Sequence, residues 1–255
     1  MRVGLIVGTG MGDLFPGLQW STHRTEYGTA CVALTAVDGT EIIVLRRHGL
    51  EMRTPPHLIN YRANIQALRD NDATRALSTA AVGSLRLQTA PGALAIVEDF
   101  IDCTRSGPIT IFDSPTTGLV HTDFSRPFCP EVSEALSRAA SKVCKKRLPK
   151  VVYVGVDGPR YESPAEVRMY AKFGGDVVGM TVVREAILAR EMGICYGCLA
   201  IVANYASGLC DKPLRHEEVT QLTRARENDI RAIICETIRR LPRTNQCTCK
   251  DGSCC

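Results

Sequence analysis

The run Val151-Val152-Tyr153-Val154-Gly155-Val156 passes directly into Asp157-Gly158-Pro159-Arg160-Tyr161-Glu162-Ser163, and a helical pattern begins at Pro164. An apolar run closed by Gly-Pro and followed by a helix predicts a strand that delivers a loop, the place where an α/β protein holds its ligand. The loop has suitable chemistry. Tyr161 offers a flat face and Glu162 a carboxylate beside it, and together they can stack on a heteroaromatic base and accept its N–H donors. A solvated surface turn is the other reading of the same residues.

Downstream, Pro164 to Phe173 reads as a helix and Asp176 to Met180 as a short buried strand. Thr181 then stands at the N-cap of a helix running to about Met192, where its hydroxyl suits either capping or an anion. Met180 fits either a core or the underside of a sugar ring. Cys195 to Ala203 is almost wholly apolar and predicts a central strand buried on both faces. It ends in Asn204-Tyr205-Ala206, where an amide can donate and accept at once toward a base edge bearing a carbonyl and a ring nitrogen. A loop holding Pro213 leads to His216-Glu217-Glu218-Val219 and a long helix to about Arg239.

Upstream, a strand over Arg2 to Val7 ends at Gly8-Thr9-Gly10-Met11-Gly12-Asp13. Amides freed by glycine, with the Thr9 hydroxyl, make an anion nest, whereas Asp13 in the sixth position and Pro16-Gly17 argue against a nicotinamide cofactor. Strands over Ala30 to Ala36 and Glu41 to Arg46, joined at Asp38-Gly39, deliver Arg46-Arg47-His48-Gly49. A guanidinium fork beside an imidazole suits a phosphate dianion, and a solvated strand end is the alternative. After Pro55-Pro56 a helix is expected over His57 to Asp70. A buried strand over Arg75 to Ser84 follows, whose small residues, Ala80 and Ala81 among them, let a ligand approach the backbone. A strand near Ile96 to Asp102, a loop His121-Thr122-Asp123-Phe124-Ser125 of the kind that reaches a neighbouring subunit, and a helix over Pro130 to Lys146 complete the order.

The 255 residues are 45% apolar and 23% charged, with a net charge of +4 scattered rather than striped. That balance suits a globular protein and offers no groove for nucleic acid. No apolar run reaches membrane-spanning length and no basic leader precedes the first strand, so a cytoplasmic protein is expected. The expected fold is α/β, a single domain with a central mixed β-sheet flanked by helices over residues 1–242, then a cysteine-rich tail over 243–255. The tail, Cys247-Thr248-Cys249-Lys250-Asp251-Gly252-Ser253-Cys254-Cys255, holds four of the twelve cysteines. Its spacing differs from the paired pattern of zinc sites, so no metal is expected and the tail reads as a redox staple or a flexible segment with exposed thiols.

Gly8-Thr9-Gly10, Arg47-His48-Gly49, Asn60-Tyr61-Arg62-Ala63-Asn64, Gly158-Pro159-Arg160-Tyr161-Glu162, Val178-Gly179-Met180-Thr181 and Asn204 stand in one order along the chain. In that order they resemble the trimeric purine nucleoside phosphorylases, a family that also includes the methylthioadenosine phosphorylases, and the likeness covers residues 1–242. The resemblance implies that Thr9, Arg47, His48, Ala80, Ala81 and Thr181 surround inorganic phosphate. Met180 would lie against ribose, Tyr161 against the base, and Asn204, Tyr205 and Ala206 along the base edge, with Asn204 and His48 the catalytic candidates. A homotrimer or dimer of trimers is implied, with phosphate as co-substrate and no cofactor.

Adenine-using members carry Asp at the places of Asn204 and Ala206 and Ser at that of Glu162, so the chain resembles the 6-oxopurine branch. The chemistry agrees. Glu162 can accept from N1–H of hypoxanthine or guanine, whereas adenine would set a lone pair against the carboxylate. Phosphorolysis of inosine and guanosine is therefore expected, in purine salvage. His216 resembles the histidine that bonds the 5′-hydroxyl in the nucleoside-using branch. His121 matches a position that reaches the adjoining subunit's 5′ pocket, which keeps methylthioinosine or methylthioadenosine as an alternative substrate.

Overall fold

Side chains along the first strand, β1 (Arg2–Val7), alternate between two cores: Ile6 joins one, and Val3, Leu5 and Val7 the other. That period of two fixes β1 as a buried strand with helices on both faces. The computed structural model describes residues 1–255 except 12–13, 107–109, 115, 117, 211–215, 245, 250–252 and 255, and except the side chains of His216, Ser253 and Cys254. Gly12 and Asp13 of the first glycine loop thus lie outside the described residues, as does Pro213.

Beyond β1 come β2 (Ser21–Thr25), β3 (Gly28–Val37), β4 (Thr40–Arg46), α1 (Tyr61–Asp70), β5 (Ala73–Ser84), β6 (Leu94–Asp102) and β7 (His121–Thr122). The second half adds α2 (Pro130–Cys144), β8 (Lys150–Gly155), α3 (Pro164–Lys172), β9 (Val177–Gly179), α4 (Val182–Glu191) and β10 (Cys195–Tyr205). It closes with α5 (His216–Ala225), α6 (Glu227–Arg240) and β11 (Ser253–Cys254).

Nine of these strands form one mixed sheet, β10-β6-β8-β9-β5-β1-β4-β3-β2, and β10 also pairs with β5. The pairings β5-β10-β6-β8-β9-β5 therefore close into a ring, from which β1, β4, β3 and β2 extend. One core packs α1 and α4 onto the sheet through Ile65, Leu68, Val183 and Leu188. The other packs α2 and α6 through Val132, Leu136, Ile233 and Ile234. Strands β1, β4, β5 and β10 run parallel, so their carboxyl ends gather on one side. That edge holds the site.

The expected mixed α/β fold is observed, with local differences. The first helix begins at Tyr61 rather than His57, because Pro56–Leu58 form a 3-10 turn, Ile59 is extended and Asn60 accepts the Ala63 amide as N-cap. The long C-terminal helix is two: Arg226 interrupts it, and the Thr223 hydroxyl just before the break bonds back to the Val219 carbonyl. Strand β2 is an edge strand whose residues are mostly exposed, so it lacks an apolar alternation to read. Among the described residues no helix is long and apolar enough to cross a membrane.

Candidate active site

A cavity of about 320 Å³ opens at the gathered strand ends. Thr9, Arg47, His48, Ala81, Tyr161, Glu162, Met180, Thr181 and Asn204 all line it, so residues far apart in sequence meet in one wall. Topology explains the convergence. Thr9 follows β1, Arg47 and His48 follow β4, Ala81 lies near the end of β5, Met180 and Thr181 follow β9, and Asn204 closes β10.

On one wall Arg47 is only 3% exposed. Its Nε donates to Glu185 Oε1 at 2.5 Å, its Nη2 to Glu185 Oε2 at 3.1 Å and Ser78 Oγ at 2.7 Å, and its Nη1 to the Thr79 carbonyl at 3.0 Å. The fork expected to serve phosphate is thus held by an internal carboxylate, and Arg47 borders the cavity as a fixed cation whose charge Glu185 balances. Burial works against the Arg47 charge, but the charge and hydrogen bonds of Glu185 together outweigh it and push the Arg47 pKa up, so the guanidinium stays ionised. Gly8 has to be glycine here, since a Cβ would collide with Arg47 Nη1.

His48 Nδ1 lies 2.7 Å from the Thr54 carbonyl, which fixes Nδ1 as the protonated nitrogen and leaves Nε2 as the other ring position. Thr181 is the N-cap of α4, yet its hydroxyl makes no cap hydrogen bond. The Tyr153 phenol oxygen accepts from the Thr181 and Val182 amides instead, at 3.1 and 3.4 Å. The choice between capping and anion binding is therefore resolved against capping. A threonine hydroxyl at a helix N-terminus, with an imidazole, Thr9 and a buried guanidinium lining the same cavity, is chemistry suited to an anion.

The opposite wall carries Tyr161, Glu162 and Asn204. Glu162 is 7% exposed, and burial pushes its carboxyl pKa up against a hydrogen bond from its own backbone N–H. The nearest cation is engaged elsewhere, because Arg160 grips Glu166 at 2.8 Å through both terminal nitrogens. Glu166 in turn completes the capping box with Ser163 at the start of α3. Asn204 Nδ2 donates to the Tyr205 carbonyl at 2.8 Å. A bulge near Asn204 sets it opposite Gly83, where a Cβ would press on its amide at 3.3 Å.

Five other expected residues lie elsewhere or outside view. Ala80 points its side chain into the core one residue before Ala81. Tyr205 donates its hydroxyl to the Leu87 carbonyl at 3.1 Å, and Ala206 is buried among Leu85, Val156 and Tyr170 rather than along the cavity. Alternation along β10 explains Tyr205, since Asn204 faces the cavity and its neighbour turns away, whereas Ala206 lies beyond the strand's end. His121 is exposed on β7, outside the cavity of its own chain. His216 begins α5, its side chain outside the described residues, and Val219 one turn later lines the cavity.

The structure gives the Asn60 to Asn64 stretch a positioning role that sequence reasoning did not supply. Tyr61 donates to the Met180 carbonyl at 3.2 Å, Asn64 to the Arg47 carbonyl at 3.3 Å, and Arg62 to the Thr110 carbonyl at 2.9 Å. One helix turn thereby ties together both walls. Glu185, Ser78 and Tyr153 were missed in the same way. Nothing local in the sequence signals a partner 138 residues distant.

The profile described as the phosphorylase superfamily matches residues 2–239, and the chain belongs to that superfamily. Within it, the chain is 41% identical over 258 residues to a 6-oxopurine nucleoside phosphorylase from Pyrococcus furiosus, covering 98% of this chain and 97% of that one. A probable 6-oxopurine nucleoside phosphorylase from Moorella thermoacetica is 42% identical over 253 residues, covering 98% and 96%. A probable S-methyl-5′-thioinosine phosphorylase from Methanosarcina acetivorans is 40% identical over 249 residues, covering 93% and 94%. Among solved structures, a mutant adenosine/methylthioadenosine phosphorylase from Schistosoma mansoni with methylthioadenosine superposes with a TM-score of 0.89 at 27% identity, covering 98% and 95%.

Proposed function

We propose that the protein phosphorolyses 6-oxopurine nucleosides, inosine and guanosine, to the free base and ribose 1-phosphate. The observation that carries this reading is Glu162, a buried carboxylate facing the same cavity as Asn204 with its neighbouring cation committed to Glu166. An ionised acceptor suits N1–H of a keto-purine and repels the N1 lone pair of adenine. Relatives named for 6-oxopurine nucleosides at 40–42% identity support the same substrate class.

Phosphate, held by Thr9, Thr181 and His48 with Arg47 behind them, attacks C1′ of the ribosyl group while the bond from C1′ to the base nitrogen breaks. Positive charge develops on the sugar and negative charge on the departing purine. The phosphate anion steadies the first, and Asn204 donating toward N7 or O6 steadies the second. Tyr161 stacks on the base and Met180 supports the ribose. Phosphate is the co-substrate in this scheme and no metal or cofactor takes part. Purine salvage is the proposed role, in a cytoplasmic homotrimer or dimer of trimers, with the exposed His121 strand as the candidate reach into a neighbour.

Methylthioinosine is the second reading. Relatives named for it are 36–40% identical, and apolar Val219, close after His216, lines the cavity. A substrate panel of inosine, guanosine, adenosine, methylthioinosine and methylthioadenosine, each with and without phosphate, tests both. Phosphate-dependent release of hypoxanthine from inosine supports the first reading, and turnover confined to adenosine or methylthioadenosine rejects it.

A further inference from the structure

Cys129, Cys195, Cys247 and Cys249 bring their four sulfurs within 4.8 Å of one another, although they come from the start of α2, the start of β10 and the tail. Three are buried and Cys247 is partly so. We propose that these four sulfurs form a tetrahedral thiolate site for a single zinc ion, which pins the C-terminal segment to the core. The proposal is independent of the nucleoside reading. Cys195 and Asn204 are nine residues apart along β10, about 30 Å of strand, so the cluster sits far from the cavity.

The geometry fits one ion. Zinc–sulfur bonds of about 2.3 Å place tetrahedral sulfurs about 3.8 Å apart. Cys129 and Cys247 are 3.7 Å apart, and Cys195 and Cys247 closer at 3.2 Å. The surroundings favour anionic sulfur. Cys129 is the N-cap of α2, at the positive end of that helix, and Arg190 lies near Cys249. Four sulfurs this close cannot all ionise unless a cation joins them, and zinc binding would release the remaining thiol protons to solvent.

The tail's own spacing argued against a metal because only two ligands lie in the tail. The other two come from positions 52 and 118 residues before Cys247, brought near by the fold. Two disulfides among the same sulfurs are the competing chemistry.

Full-length protein from zinc-supplemented cells, purified with reductant and dialysed against metal-free buffer, is expected to retain one zinc per chain by elemental analysis. Cobalt exchanged into the site should give thiolate-to-metal charge-transfer bands and intense tetrahedral d–d bands. Cys249→Ser should lower zinc content about tenfold and lower the thermal midpoint while leaving kcat for inosine unchanged. If that variant does not fold, the cobalt spectrum of the unaltered protein still decides. Absence of stoichiometric zinc together with no thiolate–cobalt spectrum overturns the site, as does mass spectrometry of the unreduced protein showing these sulfurs joined to one another.

Discussion

The Tyr153 phenol oxygen lies 3.1 Å from the Thr181 amide, so a side chain from β8 caps α4 in place of the threonine that opens it. Thr181 consequently borders the cavity with its hydroxyl not used as a cap. Tyr153→Phe would leave the partly buried Thr181 amide and the buried Val182 amide without that acceptor. A loss of about 1–3 kcal/mol is expected by denaturant unfolding. The Thr181 hydroxyl would be drawn back to its own helix, and the phosphate KM should rise several-fold with a smaller effect on kcat. An unchanged phosphate KM would separate Tyr153 from the anion pocket.

Arg47 and Glu185 are 2% and 1% exposed at their side chains and pair at 2.5 Å. Removing one member leaves the other charged and buried, which costs about 3–5 kcal/mol. Glu185→Gln is expected to lower the thermal midpoint and raise the phosphate KM together, because the fork loses its orientation as well as its counter-charge. Calorimetry and phosphate titration of the same preparation would check the coupling, and a stable variant with normal phosphate kinetics would refute it.

Burial raises the Glu162 pKa above its ordinary value of 4.5. The folded chain therefore holds that proton more tightly than the unfolded one, so ionisation lowers stability as pH rises through the folded pKa. Glu162→Gln should raise the thermal midpoint at neutral pH, and the gain should vanish as pH falls below the carboxyl's unfolded pKa. Substrate binding runs the other way, since N1–H needs the ionised acceptor. The inosine KM should climb as pH falls through the Glu162 pKa, and this limb of the profile should be missing in Glu162→Gln.

Asn204→Ala should reduce kcat about 10²-fold, since its hydrogen bond strengthens as the base departs. Near-normal turnover would remove its catalytic role. The pair Asn204→Asp and Glu162→Ser should shift preference toward adenosine, read as the ratio of kcat/KM for adenosine and inosine. A double variant that still rejects adenosine would place the discrimination elsewhere.

Much of this was legible along the chain. The apolar segments Arg2–Val7 and that from Cys195 were legible as strands, and Gly-Pro after Val156 marked the loop that follows β8. Nine residues expected at the site do line one cavity. The resemblance placed Tyr205 and Ala206 there as well, but a strand sends the side chain next to Asn204 to the opposite face, and Ala206 follows the strand's end into a separate apolar cluster.

The sequence alone settled most of what short-range periodicity encodes: the principal strands and helices, though not β2 or the break at Arg226, and which polar residues stand at strand ends. Only the tertiary structure decided that Arg47 is gripped by Glu185, that Tyr153 rather than Thr181 caps α4, and that two tail cysteines meet Cys129 and Cys195. Periodicity is written in residues a few positions apart. Pairings across as many as 138 residues depend on how the strands order themselves in the sheet, which no local pattern records.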